Sequence, residues 1–310
     1  MAGQASSDET AAQLTVYYPT ICQPFFSLRL RSGEALDWLN AALPTARRLG
    51  NLYVATILNL MGLLDRAFGR HREAVAHFRE ALSAASSLEN PESEGTLLGN
   101  LGNELVFVGE FEEAEPILNR LLRISRESGL DQEEMLALGG LERLYSELQR
   151  FDLALDYGRQ WLEVARRSGS RYSEGQALGN MGVCHMHLES YREAISCFLD
   201  DLRISRELGD RWGEAACLGN LGWACHALGL QERAKVLLHA RIHLSEELED
   251  LRGAAESSWN LGFIYEEEDL PRAIELKQVM VDYKRSIQHP DAEELASEVD
   301  ALRARLFGGS

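Results

Sequence analysis

Apolar residues recur along the chain at spacings of three and four, and the same stripe returns every 40 residues. Leu98, Leu101 and Leu105 reappear as Leu138, Leu141 and Tyr145, as Leu178, Met181 and His185, and as Leu218, Leu221 and Cys225. That spacing is one buried face of an amphipathic α-helix. A second set of stripes, such as Ala194, Ile195, Phe198, Leu202 and Ile204, lies beside charged residues including Arg203, Arg206 and Glu207. It predicts a second helix with one packed face and one wet face.

The repeat is visible as strings. LGNLG at 98–102, LGGLE at 138–142, LGNMG at 178–182, LGNLG at 218–222 and WNLG at 259–262 place equivalent residues at 102, 142, 182, 222 and 262, each 40 after the last, and Gly62 extends the series backwards. Twelve residues on stand Ala74, Ala114, Ala154, Ala194 and Ala234, with Ala273 one residue short. Small residues at fixed phase predict a close approach of two helix backbones. Gly69, Gly109 and Gly229 fall seven after the same positions, where a helix should end and glycine supplies a left-handed conformation. Gln149, Glu189 and Asp269 hold that place in other copies. A second break recurs as Leu-Gly-Asn at 49–51, Leu-Glu-Asn at 88–90, Leu-Gly-Asp at 208–210 and Leu-Glu-Asp at 248–250, with an Asn or Asp able to cap the next helix. Each unit thus reads as two helices of about four to five turns.

The expected organisation is all-α, with about six to seven helix pairs stacked as an array that has no single closed core. Residues 1–11 read as a disordered N-terminus and 12–50 as an atypical N-terminal capping repeat. There Pro19 and Pro24 break the chain, and Glu34 to Leu49 resembles a second helix. The tandem repeats run over 51–288. Residues 289–310 read as a C-terminal capping helix and tail, with Leu295, Val299, Leu302 and Leu306 on one side and Glu293, Glu294, Glu298 and Asp300 on the other.

Composition narrows the function. Of 310 residues, 31 are Lys or Arg and 49 are Asp or Glu, a formal net charge of -18; such a surface repels phosphate backbones, which argues against a nucleic-acid partner. The five cysteines form no C-x-x-C pair, which suggests reduced thiols and a cytoplasmic location. No secretory signal pattern and no run of eighteen apolar residues occurs, so no membrane role is expected.

The repeated residues make the chain resemble the tetratricopeptide-repeat superfamily, in its long-repeat branch with the Leu-Gly-Asn signature, over residues 34–288. In that branch Gly102, Gly182, Gly222 and Gly262 would be the small residue of the first helix, and Ala114, Ala154, Ala194 and Ala234 that of the second. The usual unit has 34 residues; the 40-residue period places the chain nearer the spindle-orientation adaptors and the repeat tails of bacterial signal-transducing NTPases. The resemblance implies a right-handed superhelical solenoid whose first helices line a concave groove that binds extended peptides. It also makes a regulatory or sensor part of a larger bacterial signalling system an alternative, controlling an NTPase, protease or nuclease effector.

If the leucine stripe is buried, the opposite face of each first helix looks into that groove. It carries Thr96, Asn100, Asn103 and Phe107 in one unit; Leu136, Gly140, Arg143 and Glu147 in the next; and Gln176, Asn180, Val183 and His187 in the third. Ala216, Asn220, Trp223 and Ala227 follow, then Glu256, Asn260, Phe263 and Glu267. Asparagine costs about half a kcal/mol relative to alanine within a helix. Asn100, Asn180, Asn220 and Asn260 in phase therefore either offer donors and acceptors to a peptide backbone or bridge neighbouring helices and fix the stacking. Phe107, Trp223 and Phe263 on that face are candidate anchors for a partner, or pack under the next unit. Arg143 is a candidate for a carboxylate, or plain solvated charge.

Other signals carry less. Cys184-His185-Met186-His187 has metal-ligand residue types, but a helix throws adjacent residues to different sides, and the phase puts His185 and Cys225 in the core. Glu266-Glu267-Glu268-Asp269 and Asp200-Asp201 read as solvated charge. No G-x-x-x-x-G-K-[ST], G-x-G-x-x-G, H-E-x-x-H or G-x-S-x-G occurs. The expectation is a non-enzymatic module without cofactor or metal, whose partner is a protein or peptide.

Overall fold

In the computed structural model, residues 32–86 and 90–308 are described. The expectations for residues 1–11, Pro19 and Pro24 lie outside them. The described residues form fourteen α-helices and no strand. In chain order these are α1 (Ser32–Leu49), α2 (Asn51–Ala67), α3 (His71–Ala85), α4 (Pro91–Val108), α5 (Phe111–Ser128), α6 (Asp131–Glu147) and α7 (Phe151–Ser168). There follow α8 (Arg171–His187), α9 (Tyr191–Leu208), α10 (Arg211–Ala227), α11 (Gln231–Glu247), α12 (Leu251–Tyr265), α13 (Leu270–Ser286) and α14 (Ala292–Gly308). They group into two compact units divided between Gln149 and Arg150.

Within each unit every helix packs on the next. First helices also touch first helices, α4 with α6 in the first unit and α8 with α10 and α10 with α12 in the second. The first helices therefore form one wall of each unit. The packing is carried by the predicted stripes: Leu98, Leu101, Leu105, Leu138 and Leu141 are buried, as are Leu178, Leu218, Leu221 and Cys225. His185 departs from its stripe: it is half-buried, and its buried Nδ1 has no hydrogen-bond partner.

The glycine phase is set by side chains of the neighbouring helix. A Cβ built on Gly182 would lie 2.4 Å from the Phe198 ring, one on Gly62 2.5 Å from Phe78, and those on Gly102 and Gly222 2.7 Å from Leu118 and Leu238. The glycine makes room for one large side chain of the following helix, sixteen residues on. In sequence, the copy with Glu142 in place of the glycine has Gly158 where the others carry Phe or Leu, reversing the sizes.

Turns follow the predicted grammar. Gly69, Gly109 and Gly229 have φ of +72°, +81° and +78°, and Gln149 and Glu189 keep the left-handed conformation at +57° and +56°. The side chains of Asn90, Asp210 and Asp250 accept from backbone N–H groups of the helices they cap. At the first of these breaks Gly50 holds the cap position and Asn51 is the first residue of α2.

A clasp invisible to apolar periodicity recurs at these turns. Arg126 Nε lies 2.8 Å from Glu134 Oε1, Arg166 Nε 2.9 Å from Glu174 Oε1, Arg206 Nε 2.7 Å from Glu214 Oε1, and Arg285 Nε 3.1 Å from Glu293 Oε1. Each joins the end of one helix to the start of the next. At the C-terminal end α14 packs on α13, with Ala296 and Val299 buried against Ile274 and Val281.

Candidate functional site

The face opposite each leucine stripe is where the predicted binding residues lie. In the first unit Phe107 is 61% exposed, its ring 4.1 Å from that of His71, whose Nδ1 lies 2.6 Å from the buried Glu104. Asn100 is half-buried, and its Nδ2 donates to Asn59 Oδ1 at 2.8 Å, a bridge from α4 to α2. Asn103 Nδ2 donates to Gly99 O at 3.0 Å. Arg143 reaches from α6 to α4, its Nη2 donating to Asn103 O at 2.7 Å. Burial lowers the guanidinium's pKa, and its buried Nε is unpartnered. Arg143 is therefore a helix-to-helix tie and not solvated charge. Thr96 and Asn59 line a cavity of about 160 Å³ with Leu52, Ala55 and Thr56.

In the second unit Trp223 and Phe263 are each 39% exposed, with ring centroids 6.4 Å apart. Phe263 is held from behind: Lys277 Nζ, on a buried side chain from α13, sits 3.6 Å from its centroid and 4.7 Å from that of Trp259. The same ammonium forms an ion pair with Glu266, so Glu266 is structural and not merely solvated. His187 is exposed and stacks on Phe151, ring centroids 4.4 Å apart. Asn220 is exposed, and Asn180 and Asn260 are half-buried on the equivalent faces. A cavity of about 340 Å³ opens between α8 and α10, floored by Met186 and Phe198, walled by Val183, Trp223 and Ala227, and rimmed by His187, Tyr191 and Asn220.

One turn towards the N-terminus, the same face carries residues that the sequence reading passed over. Tyr172 and Trp212 are 59% and 58% exposed, and Gln176 Nε2 donates to Tyr172 Oη at 3.3 Å. Extending the four-and-three spacing back from Gln176 and Ala216 by four residues reaches both. A second cavity, of about 190 Å³, opens there, lined by Tyr172, Gly175, Gln176, Ile204 and Leu208 with Asp201 and Asp210.

Asp201 corrects the reading of Asp200-Asp201 as solvated charge. The helical turn places Asp201 against α8, where Cβ atoms on Gly175 and Gly179 would lie 2.9 and 2.7 Å from its carboxylate oxygens. Cys217 Sγ donates to Asp201 Oδ2 at 3.0 Å and Ser205 Oγ to Oδ1 at 3.5 Å. Burial raises the Asp201 carboxyl above its ordinary range, against those two hydrogen bonds. It also raises the Cys217 thiol, beside that carboxylate.

Cys184 is buried while His187 is exposed, and among the described residues no three His, Cys, Asp or Glu side chains converge on a point that could hold a metal. No described helix is long and apolar enough to cross a membrane.

Residues 29–87, 93–167 and 173–238 match the tetratricopeptide repeat family. Outer dynein arm-docking complex subunit 4 of Danio rerio is 31% identical over 134 residues, 39% of this chain and 24% of its own length, so the chain spans about a quarter of that relative. Among solved structures, a signal transduction ATPase with a tetratricopeptide repeat sensor, from Pyrococcus horikoshii, superposes with a TM-score of 0.69 at 16% identity, over 88% of this chain and 45% of its own. A Rap protein complexed with competence and sporulation factor superposes with a TM-score of 0.65 at 14% identity, over 97% of this chain and 88% of its own. At such identities the likeness is one of fold.

Proposed function

Because the chain belongs to the tetratricopeptide repeat family, we propose that it is a non-catalytic scaffold that holds an extended protein segment against its first helices. The observation that carries this reading is the row of exposed aromatics on one face of the second unit. Tyr172, Trp212, Trp223 and Phe263 stay open to solvent there, Tyr172 and Trp223 each at a cavity, and Phe107 is exposed on the equivalent face in the first unit. Large apolar side chains concentrated on one wall are the usual anchors of a partner.

Within that reading the asparagines divide. Asn100 is committed to Asn59 and fixes stacking, whereas Asn220, exposed at a cavity rim, is the copy best placed to bond a peptide backbone. The thiols of Cys184, Cys197, Cys217 and Cys225, none of them in a disulfide, fit a reducing, cytoplasmic setting.

The test is capture of partners from the native host by the parent chain and by a Trp223→Ala/Asn220→Ala variant, followed by calorimetry on the recovered protein. Affinity should fall at least tenfold in the variant while helical content is retained. Undiminished affinity would remove the wall from the function.

A second reading is a sensor segment of a larger signalling protein. It is favoured by the match to less than half of an ATPase that carries such a sensor. Co-expression with the proteins encoded beside it, and assay of their activity with and without this chain, separates it from a free-standing scaffold.

A further inference from the structure

The two cavities between α8 and α10 open on the same wall and differ in chemistry. One has an apolar floor of Met186 and Phe198 and an aromatic wall in Trp223, and its volume of about 340 Å³ has room for a large aliphatic or aromatic side chain. The other, of about 190 Å³, holds the carboxylates of Asp201 and Asp210 beside the exposed ring of Tyr172. A carboxylate offers about four acceptor directions. Asp201 uses two, on Cys217 and Ser205, and Asp210 uses one on the backbone N–H of Gly213. An anionic pocket with a π-face at its mouth is matched by an ammonium or guanidinium, and the net charge of -18 draws cationic segments to the surface.

The distance between the pockets sets a spacing. Tyr172 to Gln176 line one and Val183 to His187 the other, about eleven residues apart on α8, or roughly 16 Å at 1.5 Å per residue. An extended chain advances about 3.3 Å per residue, so about five residues bridge them. Asn180 and Asn220 lie between or beside the two openings.

Resting on the scaffold reading above, we propose that the second unit selects an extended peptide with a Lys or Arg side chain in the Asp201–Tyr172 pocket. A bulky apolar side chain about five residues away fills the Met186–Phe198–Trp223 pocket. The basic residue sets the register and the apolar residue supplies the anchor.

A phage-displayed library of random dodecapeptides, selected on the full chain, tests this directly. Enriched sequences should pair Lys or Arg with Leu, Met, Phe or Trp at separations of four to six. Synthetic versions, followed by fluorescence anisotropy, should bind Asp201→Asn about tenfold more weakly, and binding should fall comparably in Tyr172→Ala and in Trp223→Ala. Asp201→Asn removes a buried charge while keeping an acceptor, so its circular dichroism and melting should match or exceed the parent's, and lost binding would not report unfolding. Peptides that need Trp223 but carry no basic residue, or ignore Asp201→Asn and Tyr172→Ala, would overturn this inference and leave the scaffold reading standing. No enrichment over bare matrix would overturn both.

Discussion

Substituting Gly182 by alanine tests the packing rule on which the wall depends. In an isolated helix the change should stabilise by about 1 kcal/mol, because alanine has the better helix propensity. Here a Cβ would meet three carbons of the Phe198 ring at 2.4, 2.7 and 2.8 Å, closer than van der Waals contact permits. Phe198 is 1% exposed and packed among Ala194, Leu202, Leu218 and Leu221, so the ring can yield only towards the cavity it floors. Overpacking of this kind costs about 1–3 kcal/mol; set against the propensity gain of about 1 kcal/mol, it leaves a net loss of up to about 2 kcal/mol. Guanidinium denaturation followed by circular dichroism should show the lower midpoint, and Trp223 fluorescence should change as the ring moves into the cavity. Adding Phe198→Ala, a small residue there as Gly158 is in the copy with Glu142, should remove the clash, so the double variant should be more stable than the sum of the two single losses by at least about 1 kcal/mol. A Gly182→Ala chain more stable than the parent would refute the reasoning.

Three further outcomes are expected. Asp201 has a folded-state pKa above its ordinary value, so its contribution is favourable at low pH and is lost as pH rises through that raised value; Asp201→Asn should melt higher than the parent at pH 7, with the advantage gone near pH 3. Burial alone would raise the Glu174 carboxyl, but Arg166 and Arg171 hold it below the usual range, a contribution present at neutral pH and lost as pH falls through the lowered value. Arg166→Ala/Arg171→Ala should therefore unfold at lower denaturant than the parent at pH 7 and approach the parent in acid, read from denaturation curves at both pH values. Gly209, at φ +69° with open space around it, should lose about 1–2 kcal/mol on substitution by alanine from left-handed strain alone, measurable by thermal melting.

The architecture was legible because it rests on a period. Leu98, Leu138, Leu178 and Leu218 each had to be buried, and the opposite face had to be exposed, once 3.6 residues per turn was imposed on a 40-residue repeat. What periodicity could not show was each exposed residue's commitment. Asn100 and Asn220 share a phase, yet Asn100 is tied to Asn59 because the preceding copy has shifted its asparagine by one place. Arg143 looked like a free cation and is a strut on Asn103. Asp201 looked solvated because its neighbour Asp200 suggested a charged run, and only the two glycines on α8 reveal that it points inward.

Asp201 also shows how one position of such an array varies without disturbing its fold. The equivalent second-helix position reads Ala81, Leu121, Trp161, Asp201 and Arg241 in successive copies, and the first-helix glycines show what it faces. Cβ atoms on Gly95 and Gly99 would meet Leu121, those on Gly175 and Gly179 would meet Asp201, and those on Gly219 and Gly253 would meet Arg241. Stability asks of this site only that it fill the space behind a first helix, which a leucine does by apolar burial. An aspartate or an arginine must instead find hydrogen bonds: Asp201 finds Cys217 and Ser205, and Arg241 donates to Ala215 O at 2.7 Å. Asp201 keeps acceptor directions beyond those two bonds and lines a cavity, whereas Arg241 also donates to Ser245 Oγ and pairs with Asp250. On the proposal above, the glycine gap in front of Asp201 is what opens the selective pocket, since the same cavity is lined by Gly175, Asp201 and the exposed Tyr172.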